Sequence, residues 1–135
     1  HLPASHPPVV PYFLRQALRA GSLVVHGDGS QTRDYVYVDD AVSAMVAAST
    51  APGVSGLVIN VGSGVETSVR ELVKLVLDAT GAKPEVLYNA QSSGGVSRMA
   101  ADVRASREKL NFAPSIKLED GLRLTLQRDP RFQAA

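Results

Sequence analysis

Cysteine is absent from the sequence, so it can form no disulfide, thiolate nucleophile or cysteine-ligated metal site. Tryptophan is absent too, and aromatic residues make up only 5%. Stacking platforms for single-stranded nucleic acid are therefore scarce. Neither sign of charge dominates: 14 lysines and arginines stand against 13 acidic residues, for a formal net charge of +1. That balance argues against a broad basic surface for nucleic acid, though not against a single arginine aimed at a phosphate. No apolar run approaches the ~20 residues that cross a bilayer, so no membrane partner is expected. No charged start leads into an apolar stretch, so no signal peptide is expected, and the missing cysteine fits a cytoplasmic protein.

What remains is an ordinary globular composition: 135 residues, 44% hydrophobic and 20% charged. That is one domain's worth of chain, with a core built from Val, Leu, Ile and Ala. Residues 1–8 hold three prolines and two histidines and read as an extended leader. His1 and His6 lack companions for a metal site. A helix over 11–20 carries an apolar stripe of Phe13, Leu14, Ala17 and Leu18, with Gly21 as its stop. Residues 23–26 form a short strand, 27–30 a glycine turn and 35–38 a second strand. Asp39 or Asp40 caps a helix over 41–49, whose Val42, Met45 and Val46 face the core. The nearly all-apolar run 57–61 reads as a buried strand. Ser68 and Glu71 have capping-box spacing before a helix over 69–79, which Gly81 ends. An edge strand over 84–88 and a polar loop over 91–95 follow. Next come a helix from an Asp102 cap to Leu110, with Asn111 in the left-handed position, and a last helix over 118–127. This order predicts an α/β class: a small mixed α/β lobe with short strands and about five helices.

The densest chemistry lies in residues 26–40, where a glycine turn delivers Arg33 to the start of the second strand. Glycines let the backbone approach a ligand closely, and an arginine fork matches phosphate oxygens. Asp34 either orients that guanidinium or caps a neighbouring element. A plain hairpin with a surface ion pair is the alternative reading of the cluster.

This segment resembles the extended short-chain dehydrogenases/reductases that act on nucleotide sugars, the NAD-dependent epimerase/dehydratase family. UDP-glucose 4-epimerases and dTDP-glucose 4,6-dehydratases are its type members. Gly27-Asp28-Gly29-Ser30-Gln31-Thr32-Arg33-Asp34-Tyr35-Val36-Tyr37-Val38-Asp39-Asp40 follows the family pattern almost throughout. Val58-Ile59-Asn60-Val61-Gly62-Ser63-Gly64 resembles its Y-N-I-G-S-G, and Thr67-Ser68-Val69-Arg70-Glu71-Leu72 its S-V-x-E-L. Ala101-Asp102, Leu110-Asn111-Phe112-Ala113-Pro114 and Leu118-Glu119-Asp120-Gly121-Leu122 resemble later family motifs in the right order.

The resemblance implies a C-terminal, substrate-binding lobe. Residues 9–128 would be the nucleotide-sugar-binding lobe and 129–135 a C-terminal tail. The implied partner is a nucleoside-diphosphate sugar. Arg33 matches the arginine that contacts the pyrophosphate, and Asn60 an asparagine near the phosphates; a buried amide tying the strand end to the next loop is the alternative for Asn60. Val24, Val25 and His26 match a strand lying against the base, with His26 where the family usually has Tyr or Phe; a solvated histidine is the alternative. Ser92-Ser93-Gly94-Gly95 aligns with the family's Arg-Pro-Gly-Asp, so a second phosphate-holding arginine is missing. Arg98, six positions beyond Ser92, is a candidate replacement, and the N–H groups of Gly94 and Gly95 are further candidates for the phosphate.

The family's other half, a Rossmann domain with its NAD fingerprint and Tyr-x-x-x-Lys pair, has no counterpart here. None of the four tyrosines has a lysine four positions on, and Thr32 and Thr67 stand where the two G-x-G pairs would need their third glycine. The chain thus reads as a fragment that needs a Rossmann partner. NAD belongs to the full-length enzyme, and the isomerase or lyase reaction is not expected of this chain alone. A stand-alone, non-catalytic nucleotide- or partner-binding module is the alternative, and a structural relic without ligand a third. The face stripped of the Rossmann half is expected to cause weak self-association.

Overall fold

The computed structural model describes residues 8–19, 21–89 and 96–133. Ser92, Gly94 and Gly95 lie outside them. Six helices and four short strands are seen among the described residues: α1 (Val9–Leu18), β1 (Ser22–His26), β2 (Thr32–Arg33), α2 (Val38–Thr50), β3 (Thr67–Ser68), α3 (Val69–Thr80), β4 (Glu85–Asn89), α4 (Arg104–Leu110), α5 (Leu118–Arg128) and α6 (Pro130–Gln133). The class is the mixed α/β one expected.

β1 pairs in parallel with β4, from Ser22 opposite Glu85 to His26 opposite Asn89. β2 pairs antiparallel with β3. The two strands flanking the glycine turn therefore belong to different sheets and form no hairpin. Period-2 alternation sinks Leu23 and Val25 into the core. There they meet Phe13, Leu14 and Ala17 of α1, Leu72, Val73 and Val76 of α3, Leu122 of α5 and Phe132 of α6. A second, smaller cluster gathers Ala44 of α2 with Leu110 and Phe112.

Local signals land where the sequence puts them. Ser68 Oγ accepts the Glu71 N–H at 3.1 Å and caps α3. Gly81 (φ +68°) and Asn111 (φ +48°) close α3 and α4 in the left-handed conformation.

Four expectations are corrected. Residues 35–38 are not the expected strand, because the ladder with β3 takes in only Thr32 and Arg33 and α2 begins at Val38. Neither Asp39 nor Asp40 caps α2; both lie inside its first turn, where acidic groups suit the helix dipole. Residues 57–61 are neither a strand nor a buried run: they pair with no described strand, Val58 is 95% exposed, and Ile59 and Val61 are only half-buried. Met45, expected in the core, is 71% exposed.

Candidate functional site around Arg33

The glycine turn is held by the start of α3. The N–H groups of Val69 and Arg70 donate to the carbonyls of Gln31 and Gly29, and Arg70 Nε donates to Asp28 O at 2.6 Å. A Cβ on Gly29, at φ +75°, would lie 2.8 Å from Arg70 Cγ, so the close approach requires glycine. Asp28 Oδ1 accepts from Ser30 N and Oγ and closes the turn. The first amides of α3 are thus used by the turn itself.

Arg33 emerges from this platform half-buried. Its Nη1 donates to Thr32 O at 2.6 Å and Val96 O at 2.8 Å. No carboxylate pairs with it among the described residues. Asp34, its neighbour, does not orient the guanidinium. Its Oδ1 accepts from Ser63 N and Oγ, and its Oδ2 from Gly64 N and Ala101 N. Burial pushes the Asp34 carboxyl up, but these donors outweigh it and hold it below the ordinary carboxylate value. Asp34 therefore ties the Arg33 segment to two distant loops.

Residues 96–98 run beside β2, with Thr32 N donating to Ser97 O at 2.9 Å. This places Arg98 on the segment that Arg33 also touches. Arg98 Nε pairs with Glu66 at 3.0 Å, and Glu66 also accepts from Thr32 Oγ1 at 3.2 Å. The charge-assisted bonds from Arg98 lower the Glu66 pKa and raise that of the arginine. Glu66 and the Val96 carbonyl escaped the sequence reading, because their contacts cross more than 30 positions and leave no local signal.

His26 ends β1 with an exposed side chain, while its carbonyl accepts from Gln31 Nε2. Val24 is half-buried, and its N–H donates to Gln16 Oε1. The Val25 side chain is fully buried in the core. Asn60 is exposed and hydrogen-bonded to no described residue, so it is not the buried tie that was its alternative reading. The structure thus brings Arg33 and Arg98 together on adjoining segments, and links His26 to the same turn through Gln31. No hydrogen bond connects Asn60 to them. A cavity of about 380 Å³, lined by Tyr35, Ser63, Thr67, Glu71, Ser115 and Lys117 among others, includes none of these candidates.

The glycine pairs do not suit a dinucleotide. The N–H groups of Ser63 and Gly64 are taken by Asp34. A Cβ on Gly62 would meet Ala101 Cβ at 2.6 Å and Asp34 Oδ2 at 2.7 Å. These glycines serve internal packing, and the first follows a run that is no strand, unlike a dinucleotide cradle. No cluster of three His, Asp or Glu residues suited to a metal occurs among the described residues, and no helix there is long and apolar enough to cross a membrane.

The model of the NAD dependent epimerase/dehydratase family matches residues 3–62. The UDP-glucose 4-epimerase of Mycolicibacterium smegmatis is 40% identical over 119 residues, which cover 88% of this chain and 38% of that protein. The crystal structure of a UDP-glucose 4-epimerase from Thermotoga maritima with UDP-glucose superimposes with a TM-score of 0.83 at 37% identity, covering 90% of this chain and 38% of that one. A UDP-glucuronic acid 4-epimerase from Bacillus cereus in complex with NAD gives 0.72 at 28% identity, covering 86% and 37%. The chain spans well under half the length of these relatives, and over that span it is similar to members of the NAD dependent epimerase/dehydratase family.

Proposed function

We propose that this chain is the nucleoside-diphosphate-sugar-binding portion of a NAD-dependent sugar-nucleotide epimerase or dehydratase, inactive alone, with Arg33 as its phosphate ligand. The observation that carries the reading is the half-buried Arg33 guanidinium, fixed at one nitrogen by two carbonyls and facing no carboxylate among the described residues. Its remaining N–H donors suit a pyrophosphate oxygen pair. Arg98, with its Nε on Glu66, brings a second guanidinium to the adjoining segment, and exposed His26 offers a ring to the base. Ser92, Gly94 and Gly95 are proposed to complete the phosphate side. Support also comes from the similar Thermotoga maritima enzyme, whose structure contains UDP-glucose. Hydride chemistry with NAD is assigned to the remainder of such an enzyme.

The test is a two-dimensional amide NMR titration with UDP-glucose and then dTDP-glucose. Shifts at Arg33, His26 and Arg98 are expected; a well-dispersed spectrum that ignores both ligands overturns the reading. Arg33→Ala is expected to weaken binding by about 10- to 100-fold, the weight of a charge-assisted contact of ~1.5–3 kcal/mol. Turnover of UDP-glucose by this chain with added NAD would equally contradict the assignment.

A further inference from the structure

β2 has a neighbour on each edge. On one it pairs with β3, Thr32 opposite Ser68 and Arg33 opposite Thr67. Gln31 faces the same way, its carbonyl accepting from Val69 N, so by alternation Thr32 turns its main chain to the other edge. There the segment 96–98 lies alongside, and among the described residues a single main-chain bond, Thr32 N–H to Ser97 O, joins the two. Yet this segment carries the Val96 carbonyl that, with Thr32 O, fixes Arg33 Nη1. One main-chain bond contributes little by itself to holding it there.

A side-chain bridge adds the rest of the hold. Glu66 stands just before β3 and is half-buried. It accepts from Thr32 Oγ1 at 3.2 Å, and from Arg98 Nε at 3.0 and 3.3 Å, one distance to each carboxylate oxygen. The carboxylate therefore reaches across β2 from the β3 side and grips the 96–98 segment by a charge-assisted bond. Glu66 forms no ion pair with Arg33 itself. Its link to that guanidinium runs through Arg98 and the main chain back to Val96.

We infer that Glu66 is a positioning residue for Arg33: through Arg98 it holds the 96–98 segment against β2, and with it the Val96 carbonyl that orients the Arg33 guanidinium. The inference rests on the reading above for the ligand, a nucleoside diphosphate. Its sign is opposite to that of charge alone. Glu66 is paired with one arginine and is next to the residue opposite the other. Removing its negative charge would, by field strength alone, draw a diphosphate more tightly and leave Arg98 free to join it. Positioning predicts weaker binding instead.

The experiment compares the chain with its Glu66→Gln variant, which keeps an acceptor for Thr32 and removes the charge on Arg98. With UDP-glucose as the probe in an amide NMR titration, Glu66→Gln is expected to weaken binding by about three- to five-fold. That is less than Arg33→Ala loses, because the guanidinium remains. Before any ligand is added, exchange of the Thr32 amide and rotation of the Arg33 guanidinium are expected to quicken by about three-fold or more. An exposed ion pair adds little to stability, so the melting temperature is expected to move by no more than about 4 °C. In an Arg33→Ala background, Glu66→Gln is expected to change the residual binding by less than about 1.5-fold. Tighter or unchanged binding overturns the inference, as does the same weakening in the absence of Arg33. A sharp fall in melting temperature makes Glu66 a part of the fold and overturns it as well. Should the unaltered chain ignore UDP-glucose, the reading above falls, and the ligand-free measurements still decide this inference: unchanged Thr32 exchange and Arg33 rotation overturn it.

Discussion

Asp34 and Asp40 each convert a carboxylate into a joint between segments far apart in sequence. Asp40, only 4% exposed, accepts from Ser115 N and Oγ and from Ile116 N, and so pins the start of α2 to the loop before α5. Burial raises its pKa, but those donors prevail and hold it below 3.8. Both carboxyls are therefore depressed in the fold, and the unfolded chain takes up protons first as pH falls. Their stabilisation is complete above the unfolded value near 4 and is lost as pH drops through the lower folded values. Urea midpoints measured at pH 6, 4 and 3 are expected to fall, and Asp34→Asn or Asp40→Asn to flatten that fall. Tyr35 presents the opposite case. Its hydroxyl is buried without a hydrogen-bond partner among the described residues, and burial pushes its pKa up. Tyr35→Phe removes an unsatisfied polar group and is expected to stabilise the chain by up to about 1 kcal/mol in urea unfolding.

At the scale of elements, α3 is the best specified piece. Its Ser68 cap, buried Val69, Leu72, Val73 and Val76, and Gly81 stop are each decided by residues within a turn or two along the chain. Ser68→Ala is expected to cost about 1 kcal/mol, readable as a lower urea midpoint, because Glu71 N–H loses its acceptor. Such features were legible in the sequence for the same reason: each is decided by neighbours along the chain. The misread elements are those decided by what lies opposite. Residues 57–61 have the β-branched, apolar look of a buried strand, yet strand character needs a second strand, and none of the described residues provides it. The Val42, Met45 and Val46 stripe was rightly seen as one apolar face, but periodicity does not say which apolar face meets this molecule's own core. Residues 35–38 have strand-forming side chains, but Tyr37 instead takes the N-cap position of α2. In the candidate site, Arg33 was singled out through its motif, whereas Glu66 and Asp34's partners depend on loops 29 to 67 positions away.

On the scale of the whole molecule, the exposed stripe of α2 and Val58 set the solution behaviour. Without a covering partner, weak and reversible self-association at high concentration is expected, visible as a concentration-dependent sedimentation coefficient. Met45→Glu is expected to abolish it. The pairing of β1 with β4 carries a different consequence. Their register joins Ser22 to Glu85, about 60 positions apart, with α2 and α3 strung between them. Closing so long a loop is entropically costly until α1 and α3 supply the apolar surface on which β1 rests. Refolding should then be paced by this parallel pair and not by the helices, so backbone amides of β4 would gain protection late, after those of α3. A chain emerging from the ribosome would meanwhile hold β1 unpaired until β4 had been made, a window in which the apolar strand Leu23, Val24 and Val25 is open to chaperones.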